Sequence, residues 1–400
     1  MNSWWETPLC AGFLKTICDE IWSGKIVLIF LPHHTPKGFF PELKTTFANR
    51  DIKSITRINL EQCDADEPYI IERTIHSGFH LEEFERFVPS RVEEIFNCPE
   101  VGVSNLIIFE KLSQPLLKSF KEFLNEYTRL VNKKSSIHHH KILVILDPNQ
   151  FHSSDFPAEP GISKILYEGV FDKLDQSLAL RYLMKLDSGD ITPFIENLIA
   201  SLSQFDYSFS QILCEEENLL DRLLDICFKY ANTKEWEKVK YIPANFLSDN
   251  EYWSRWAMGI ADKKNGEVLY HSGYLILKEK TLEVNNRIWQ VGIEILLPLI
   301  ETIRLKILKC PRLTFPQSIY IKSTGEHIKD KFKYEIGEIL FLCQKREIQF
   351  NGISKTEKDR LLYVITLAKT IRDELAHVKI PQTSDITQFY NECHKIDTIF

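Results

Sequence analysis

The sequence lacks a hydrophobic run long enough to cross a membrane. Its longest apolar stretch, Ile26 to Leu31, is far below the ~20 residues that a membrane-spanning helix needs. The N-terminus has no basic region ahead of an apolar stretch, so no secretory signal is visible. We therefore expect a cytoplasmic protein with no membrane partner.

Cysteine pairs at the spacing of metal or redox sites are also missing. The nine cysteines are scattered along the chain and include no Cys-x-x-Cys pair. Scattered cysteines of this kind are expected to be small buried hydrophobic residues in a reducing cytosol. The sequence predicts neither a metal site nor a cofactor.

A large excess of positive charge is absent, since the net charge at pH 7 is −7. This value argues against a general nucleic-acid coat protein. The balance is uneven, because residues 281–400 hold 18 Lys and Arg against 15 Asp and Glu. The C-terminal part is therefore mildly basic, and the acidic excess lies before it.

Length and pattern predict more than one domain, because 400 residues exceed one typical core. Residues 1–165 are predicted to form an α/β domain with helices at Leu9–Trp22 and Gln114–Val131. Three runs that are apolar on both faces suit central strands of a parallel sheet: Lys25–Leu31, Asn105–Glu110 and Lys141–Asp147. This layout resembles the P-loop NTPase core of the AAA/STAND group, in which a crossover helix joins two strands and an acidic residue ends each strand.

The glycine-rich phosphate loop of that group is missing. Such a loop needs glycines to expose backbone N–H groups and a Lys-Ser/Thr pair for phosphate and magnesium. Residues 32–40 contain one glycine and no such pair. The resemblance therefore implies a degenerate NTPase-like scaffold, in which Glu110, Asp147 and Asn149 cap strand ends. An ATP-driven switch that uses Lys37 is an open alternative.

Residues 166–280 are predicted to be mainly helical. Amphipathic spacing marks helices at Asp190–Phe205 and Asn218–Tyr230. A turn at Lys264-Asn265-Gly266 followed by Glu267–Tyr270 predicts a β-hairpin. Helices followed by a hairpin suit a winged-helix module, and the acidic balance of this region favours a packing role over DNA binding.

Residues 281–400 are predicted to form a helical bundle. One apolar stripe runs from Ile288 to Ile307, with a kink expected at Pro298. Further helices are predicted at Tyr334–Arg346 and from Thr356 to about His377, and Thr383-Ser384-Asp385 is expected to cap a last one. Four such helices suit an up-and-down bundle.

The third helix of this bundle ends in an Arg-x4-His motif with Asp after the arginine and Ala before the histidine. The residues are Arg372, Asp373, Ala376 and His377. Spacing alone is a poor signal, and the flanking residues make it specific. The last ~120 residues resemble a HEPN domain, the helical-bundle family whose ribonuclease members carry Arg-polar-x-x-Ala-His. That resemblance implies metal-independent RNA cleavage by a twofold dimer.

Helix geometry constrains how these residues act together. Arg372 and His377 are five positions apart, about 140° around an ideal helix, so they converge only at a helix end or across two protomers. Asp373 and His377 share a face, so the carboxylate is expected to orient the imidazole. In the implied reaction His377 moves a proton and Arg372 stabilises charge on phosphate. Alternatively, Arg372 pairs with an acid such as Glu374 or Glu338, and His377 only caps the C-terminus of the helix, where a positive charge is favourable.

Two histidine clusters are weaker candidates. His138, His139 and His140 precede a predicted strand and resemble a metal cluster, but neighbours on an extended chain point in opposite directions. His33 and His34 lie where a phosphate loop would be, and a solvated turn is expected there.

The sequence thus predicts a HEPN-type endoribonuclease with Arg372, Asp373 and His377 in its site, controlled by an NTPase-like sensor domain. The resemblance implies a role in bacterial antiphage defence or a toxin system. RNA, a second copy of the chain and a protein from the same operon are the expected partners. The alternative is a non-catalytic HEPN and pseudo-NTPase adaptor that recruits another protein.

Overall fold

The computed structural model describes residues 3–48, 52, 54–81, 91–102, 104–133, 140–182, 192–216, 218–321 and 326–400. The described strands are β1 Ile26–Phe30, β2 Ser54–Asn59, β3 Asn105–Glu110, β4 Lys141–Leu146, β5 Ile162–Leu166, β6 Ala261–Lys264, β7 Glu267–Tyr270, β8 Leu313–Thr314, β9 Ile319–Ile321, β10 Glu326–Ile328 and β11 Gln349–Phe350.

The described α-helices are α1 Pro8–Trp22, α2 Phe39–Ala48, α3 Ile70–Gly78, α4 Arg91–Asn97, α5 Leu117–Lys133, α6 Lys173–Tyr182, α7 Thr192–Ser203, α8 Tyr207–Cys214, α9 Leu219–Thr233, α10 Asp249–Ala257, α11 Ser272–Leu277, α12 Thr281–Val291, α13 Leu297–Lys309, α14 Ile336–Gln344, α15 Lys355–Ala376 and α16 Thr383–Cys393.

These elements belong to two compact units. The α/β unit comprises Met1–Leu183, Gln204–Phe209 and Lys238–His271, and the helical unit comprises Met184–Ser203, Ser210–Glu237 and Ser272–Phe400. The region predicted over 166–280 is thus divided between the two. Its helices α7 and α9 belong to the helical unit, and its hairpin belongs to the α/β unit.

The α/β unit is built on a five-stranded, all-parallel sheet in the order β2-β3-β4-β1-β5. Every residue of β1 is buried, because alternate side chains enter two separate cores. Ile26, Leu28 and Phe30 pack with α3, α4 and α5, whereas Val27 and Ile29 pack with α1 and α2. The predicted α/β class and its three central strands are confirmed.

The predicted hairpin is confirmed as β6 and β7, which pair antiparallel across Asn265 and Gly266. Both turn residues have positive φ, 52° and 85°. This backbone favours Asn-Gly and matches the twist of the flanking strands.

In the helical unit, α12 and α13 are joined by a π-helical turn at Gly292–Leu296. Pro298 follows that turn as the second residue of α13, so the irregularity expected at Pro298 begins before it. Helix α14 agrees with prediction to within two residues, and α15 to within one. The last helix starts at Thr383 with Gln382 at its N-cap, so the cap expected from 383–385 lies inside the first turn.

The described residues contain no helix that is both long and apolar enough to span a membrane. All nine cysteines are free thiols, and six of them are buried. Burial raises the pKa of Cys10 to about 11 and that of Cys227 to about 12. These thiols therefore remain protonated at neutral pH and pack as small hydrophobes.

Candidate functional site

Arg372 and Asp373 lie in the last turns of α15. The helix begins with a capping box, in which Glu357 accepts a hydrogen bond from the Ser354 amide (2.7 Å) and the Ser354 hydroxyl accepts one from the Glu357 amide (3.3 Å). Its core-facing side buries Leu361, Val364, Ile365, Leu367, Ala368, Ile371 and Leu375. Arg372 follows Ile371 on the edge of that side, and 36% of its side chain is exposed.

The Arg372 guanidinium forms an ion pair with Glu335, the residue before α14. It also approaches the Asp373 carboxylate at 3.5 Å. Glu338, one predicted partner, instead accepts a hydrogen bond from the Glu335 amide (2.9 Å). Glu374, the other predicted partner, leaves its buried Oε2 atom without a hydrogen bond among the described residues. Arg372 is therefore paired with an acid that the sequence did not single out.

An open cavity of about 390 Å³ lies beside Arg372. Its lining combines three cations and two carboxylates with apolar side chains: Ile300, Glu301, Arg304, Phe332, Lys333, Glu335, Ile336 and Arg372. Hydrogen bonds from Arg304 lower the pKa of Glu301, and the charge of Arg372 adds to this effect. Charged and polar groups that converge on a concave surface of this kind suit an anionic ligand, provided that it displaces a carboxylate.

Arg304 is a lining residue that sequence reasoning missed. Its side chain is 14% exposed and pairs with Glu301 one turn earlier in α13. Its Nη1 atom donates to the carbonyls of Phe332 (2.9 Å) and Tyr334 (2.8 Å). Arg304 therefore fixes the chain that leads into α14. No sequence spacing links Arg304 to Arg372, since tertiary packing alone brings them to one cavity.

Asp373 does not orient His377, contrary to expectation. Its carboxylate accepts a hydrogen bond from Lys369 Nζ (2.6 Å) and lies beside the Arg372 guanidinium. Among the described residues it makes no hydrogen bond with the His377 ring. The shared helix face is real, but Lys369, also four residues away, takes the carboxylate instead.

His377 is the C-cap of α15 and its side chain is exposed. Its backbone N–H donates to the carbonyls of Asp373 and Glu374, both at 3.1 Å. The ring does not line the cavity beside Arg372. The two side chains therefore stay on different faces within one protomer, as their spacing predicts.

The residue after His377 holds an uncommon backbone conformation. Val378 has φ = 56°, in the left-handed region. The Lys379 amide donates to the Glu374 carbonyl at 2.9 Å, so a Schellman motif closes the helix. Glycine usually occupies this position, and a β-branched residue there is strained.

At the carboxyl edge of the sheet, the predicted acids are engaged with neighbours. Glu110 forms a two-pronged ion pair with Arg57 of the adjacent strand β2. Asp147 accepts from the Asn149 side chain (3.0 Å), and the same amide group approaches His33 Nε2 at 3.1 Å. A cavity of about 460 Å³ opens here, lined by Leu31, Glu61, Lys111, Leu112, Ser113, Ile145, Leu146, Asp147 and Gln150.

The segment after β1 does not resemble a phosphate loop. Gly38 has φ = 90°, and a Cβ there would be 3.7 Å from the Trp5 ring. The Trp5 indole donates to the Lys37 carbonyl (3.1 Å). This glycine therefore serves a tight turn against a buried tryptophan.

The expectation of a solvated turn is wrong for His34, although His33 is exposed. His34 is 3% exposed, and neither ring nitrogen has a hydrogen-bond partner among the described residues. Its Nε2 atom is 3.7 Å from Asp262 Oδ2, and its ring packs on Phe205. Asp262 accepts from the Gly169 amide at 3.1 Å. His34 turns inward because apolar rings surround it.

Two members of the triple-histidine run, His138 and His139, lie outside the described residues. His140 is buried, and its Nε2 atom is 2.9 Å from the Phe96 carbonyl oxygen. Across the described part of the chain, no three His, Cys, Asp or Glu side chains come together in a way that would hold a metal ion.

Comparison with protein-family models finds none that matches the chain, and comparison with curated proteins finds no similar sequence.

Proposed function

We propose that the chain is a metal-independent endoribonuclease of the HEPN type, with Arg372 and His377 as its catalytic residues. The observation that carries this proposal is the end of α15. There an arginine lines a cavity with Arg304 and Lys333, and an exposed histidine follows one residue beyond the helix. Phosphate binding and proton transfer are the two tasks of RNA cleavage without a metal.

In the proposed reaction the ribose 2′-oxygen attacks the adjacent phosphorus and loses its proton to a histidine. The bond from phosphorus to the 5′-oxygen breaks, and the leaving oxygen takes up a proton. The products are a 2′,3′-cyclic phosphate and a 5′-hydroxyl end. The planar Arg372 guanidinium suits two phosphate oxygens and stabilises the charge that develops on them.

Asp373 acts in this proposal as a positioning residue. It contacts Arg372 and Lys369 rather than His377. Its carboxylate holds the guanidinium and an ammonium group at one helix end, where a phosphate that displaces Glu335 would meet both cations.

A twofold dimer completes the proposed site. Within one protomer His377 does not reach the Arg372 cavity, so Arg372 of one copy is proposed to work with His377 of the other. The buried and unpartnered Glu374 Oε2 atom in the same turn supports a further contact at this helix end. Each of the two sites then holds one histidine, which takes the proton from the 2′-oxygen and returns it to the leaving 5′-oxygen.

The α/β unit is proposed to act as a degenerate NTPase-like sensor that controls the helical unit, in antiphage defence or a toxin system. A partner protein from the same operon fits that role. The second candidate function is a non-catalytic adaptor, which the Arg372–Glu335 ion pair favours because it occupies the guanidinium.

The test is cleavage of mixed RNA by the purified chain in the presence of EDTA. His377→Asn keeps hydrogen-bonding capacity without titration near neutral pH, and we expect it to lose at least about 100-fold in rate. Arg372→Ala should lose at least about tenfold, or ~1.4 kcal/mol of transition-state stabilisation. His80→Asn is the matched control, because His80 is an exposed histidine of the α/β unit with a left-handed backbone that asparagine tolerates.

Equal cleavage by wild type and His377→Asn, or none by either, overturns the nuclease proposal. In the second case the adaptor remains.

A further inference from the structure

A large aromatic side chain is exposed beside the Arg372 cavity. Phe332 is 45% exposed and lies in a 3₁₀ turn, Lys331–Lys333, between β10 and α14. Its immediate sequence neighbours are both lysines. A single exposed phenylalanine is ordinary, so its meaning depends on what holds it and what surrounds it.

The turn that presents Phe332 is firmly held. The Asp330 carboxylate caps it by accepting from the Phe332 amide at 3.0 Å. Arg304 donates to the carbonyl of Phe332 itself and to that of Tyr334 directly after the turn. Tyr334 itself is fully buried, and its hydroxyl donates to the Pro316 carbonyl at 3.3 Å. The exposed ring is therefore placed by a rigid support and needs little ordering when it binds.

Lysines occupy alternate positions of the chain around Phe332. Lys329, Lys331 and Lys333 form no ion pair within the described part of the chain, whereas Glu301 and Glu335 nearby pair with arginines. The Lys331 ammonium lies 5.4 Å from the Phe332 ring centroid and 5.6 Å from that of Phe315. Lys331 and Lys333, two cations without acidic partners in the described part of the chain, thus lie with two aromatic rings on one surface, and Asp330 is the acid beside them in sequence.

This surface is continuous with the candidate site, because Phe332 and Lys333 line the same cavity as Arg372. We infer that Phe315, Lys331, Phe332 and Lys333, here called the lysine–aromatic surface, bind single-stranded RNA and lead it to Arg372. The inference rests on the proposed nuclease function and names its substrate class.

The chemistry favours a single strand over other anions. An unpaired base presents a π-face to Phe332, and the neighbouring phosphates meet the lysines. In a duplex the bases are stacked on one another and do not reach the ring. An acidic peptide would pair with the lysines but would leave the Phe332 face without a matching surface.

The test is fluorescence anisotropy with a labelled single-stranded RNA of mixed sequence, in the full chain carrying His377→Asn so that the probe stays intact. Phe332→Ala should weaken binding about 5- to 100-fold without changing its salt dependence. Lys331→Ala with Lys333→Ala should lower the slope of log K against log salt by about 1.4. Phe332→Tyr should keep the affinity, because its ring still stacks on a base. Circular dichroism of Phe332→Ala checks that its loss of binding is not a loss of folding.

Phe341→Ala is the matched control. Phe341 is 53% exposed and has Lys345 5.7 Å from its ring, but it does not line the Arg372 cavity. The Phe341→Ala variant should bind RNA as tightly as the His377→Asn chain from which it is made. Phe332→Ala binding as tightly as Phe341→Ala overturns the lysine–aromatic surface, even where wild-type cleavage upholds the nuclease. No binding by the folded parent also overturns it. If binding depends on Phe332 but wild type does not cleave RNA, the lysine–aromatic surface is upheld and the nuclease proposal is overturned.

Discussion

At the carboxyl edge of the parallel sheet, Glu110 and Asp147 bond to neighbouring side chains, and His34 is enclosed among aromatic rings. At the end of α15, His377 is exposed and its ring forms no bond with any described residue. Both places looked chemically promising in the sequence. The difference shows that residue type marks a candidate, and that the neighbours decide whether its polar atoms remain available.

The largest expected effect tests whether the α15 site needs two protomers. Arg372→Ala and His377→Asn chains, each impaired alone, should recover about a quarter of wild-type RNA cleavage after subunit exchange. Half of the dimers are then mixed, and each mixed dimer holds one intact site of two. This is a gain of at least about 25-fold over His377→Asn and at least about 2.5-fold over Arg372→Ala. Native mass spectrometry confirms exchange, and mixed dimers without activity would place the whole site within one protomer.

The second prediction concerns a buried acid that serves the fold of the α/β unit. Asp175 Oδ1 accepts a hydrogen bond from the Leu9 amide in the first turn of α1 (3.3 Å). Burial raises the pKa of Asp175 from 3.8 to about 6. The folded state therefore binds the proton more tightly than the unfolded state, and stability falls as pH rises from about 4 to 6.

Asp175→Asn keeps the acceptor and removes the charge. It should raise the free energy of unfolding by about 2 kcal/mol at pH 7 and leave it unchanged below pH 4. Urea unfolding at both pH values measures this, with the exposed Asp66→Asn as control. A loss of stability at pH 7 would contradict it.

Arg372 is paired with Glu335, just as the acids at the sheet edge are paired with their neighbours. Glu335→Gln should increase RNA affinity and cleavage about threefold, since an exposed ion pair contributes up to ~1 kcal/mol. Glu392→Gln makes the same charge change at another lysine- and arginine-paired glutamate of the helical unit. If both variants gain equally, net charge is the cause rather than release of Arg372.

The smallest effect is expected at the sheet edge. Glu110→Gln removes a pair with Arg57, whose side chain is 55% exposed. Cleavage should stay within about twofold and stability within ~1 kcal/mol. A tenfold loss of cleavage would break the comparison, because it would make the sheet edge part of the activity.

The sequence predicted central strands well and edge strands poorly. Strands β1, β3 and β4 are buried on both faces and therefore appear as continuous apolar runs. The edge strands β2 and β5 were not foreseen, because exposure on one side admits polar residues such as Thr56 and Lys164. Hairpin β6–β7 was foreseen from the turn at Lys264-Asn265-Gly266 and the strand pattern of Glu267–Tyr270 that follows it.

The candidate site was predictable only where it is local in sequence. Arg372, Asp373 and His377 lie within six residues, and their offset around the helix follows from the helical repeat. Arg304 lies in α13 and Glu335 directly before α14, both more than 35 positions from Arg372. The burial of His34 was missed for the same reason, since its neighbours Phe205 and Asp262 are remote in sequence.

The left-handed backbone of Val378 makes the C-terminal end of α15 less stable than its capped N-terminal end. A left-handed valine costs roughly 1–2 kcal/mol, which the Schellman hydrogen bonds must offset. The last turn should therefore open more readily than the capped first turn, and its amides should exchange with solvent earlier. His377 would then sit on the segment of α15 that rearranges first when a second copy or an RNA strand arrives, while Arg372, one turn earlier, keeps its place.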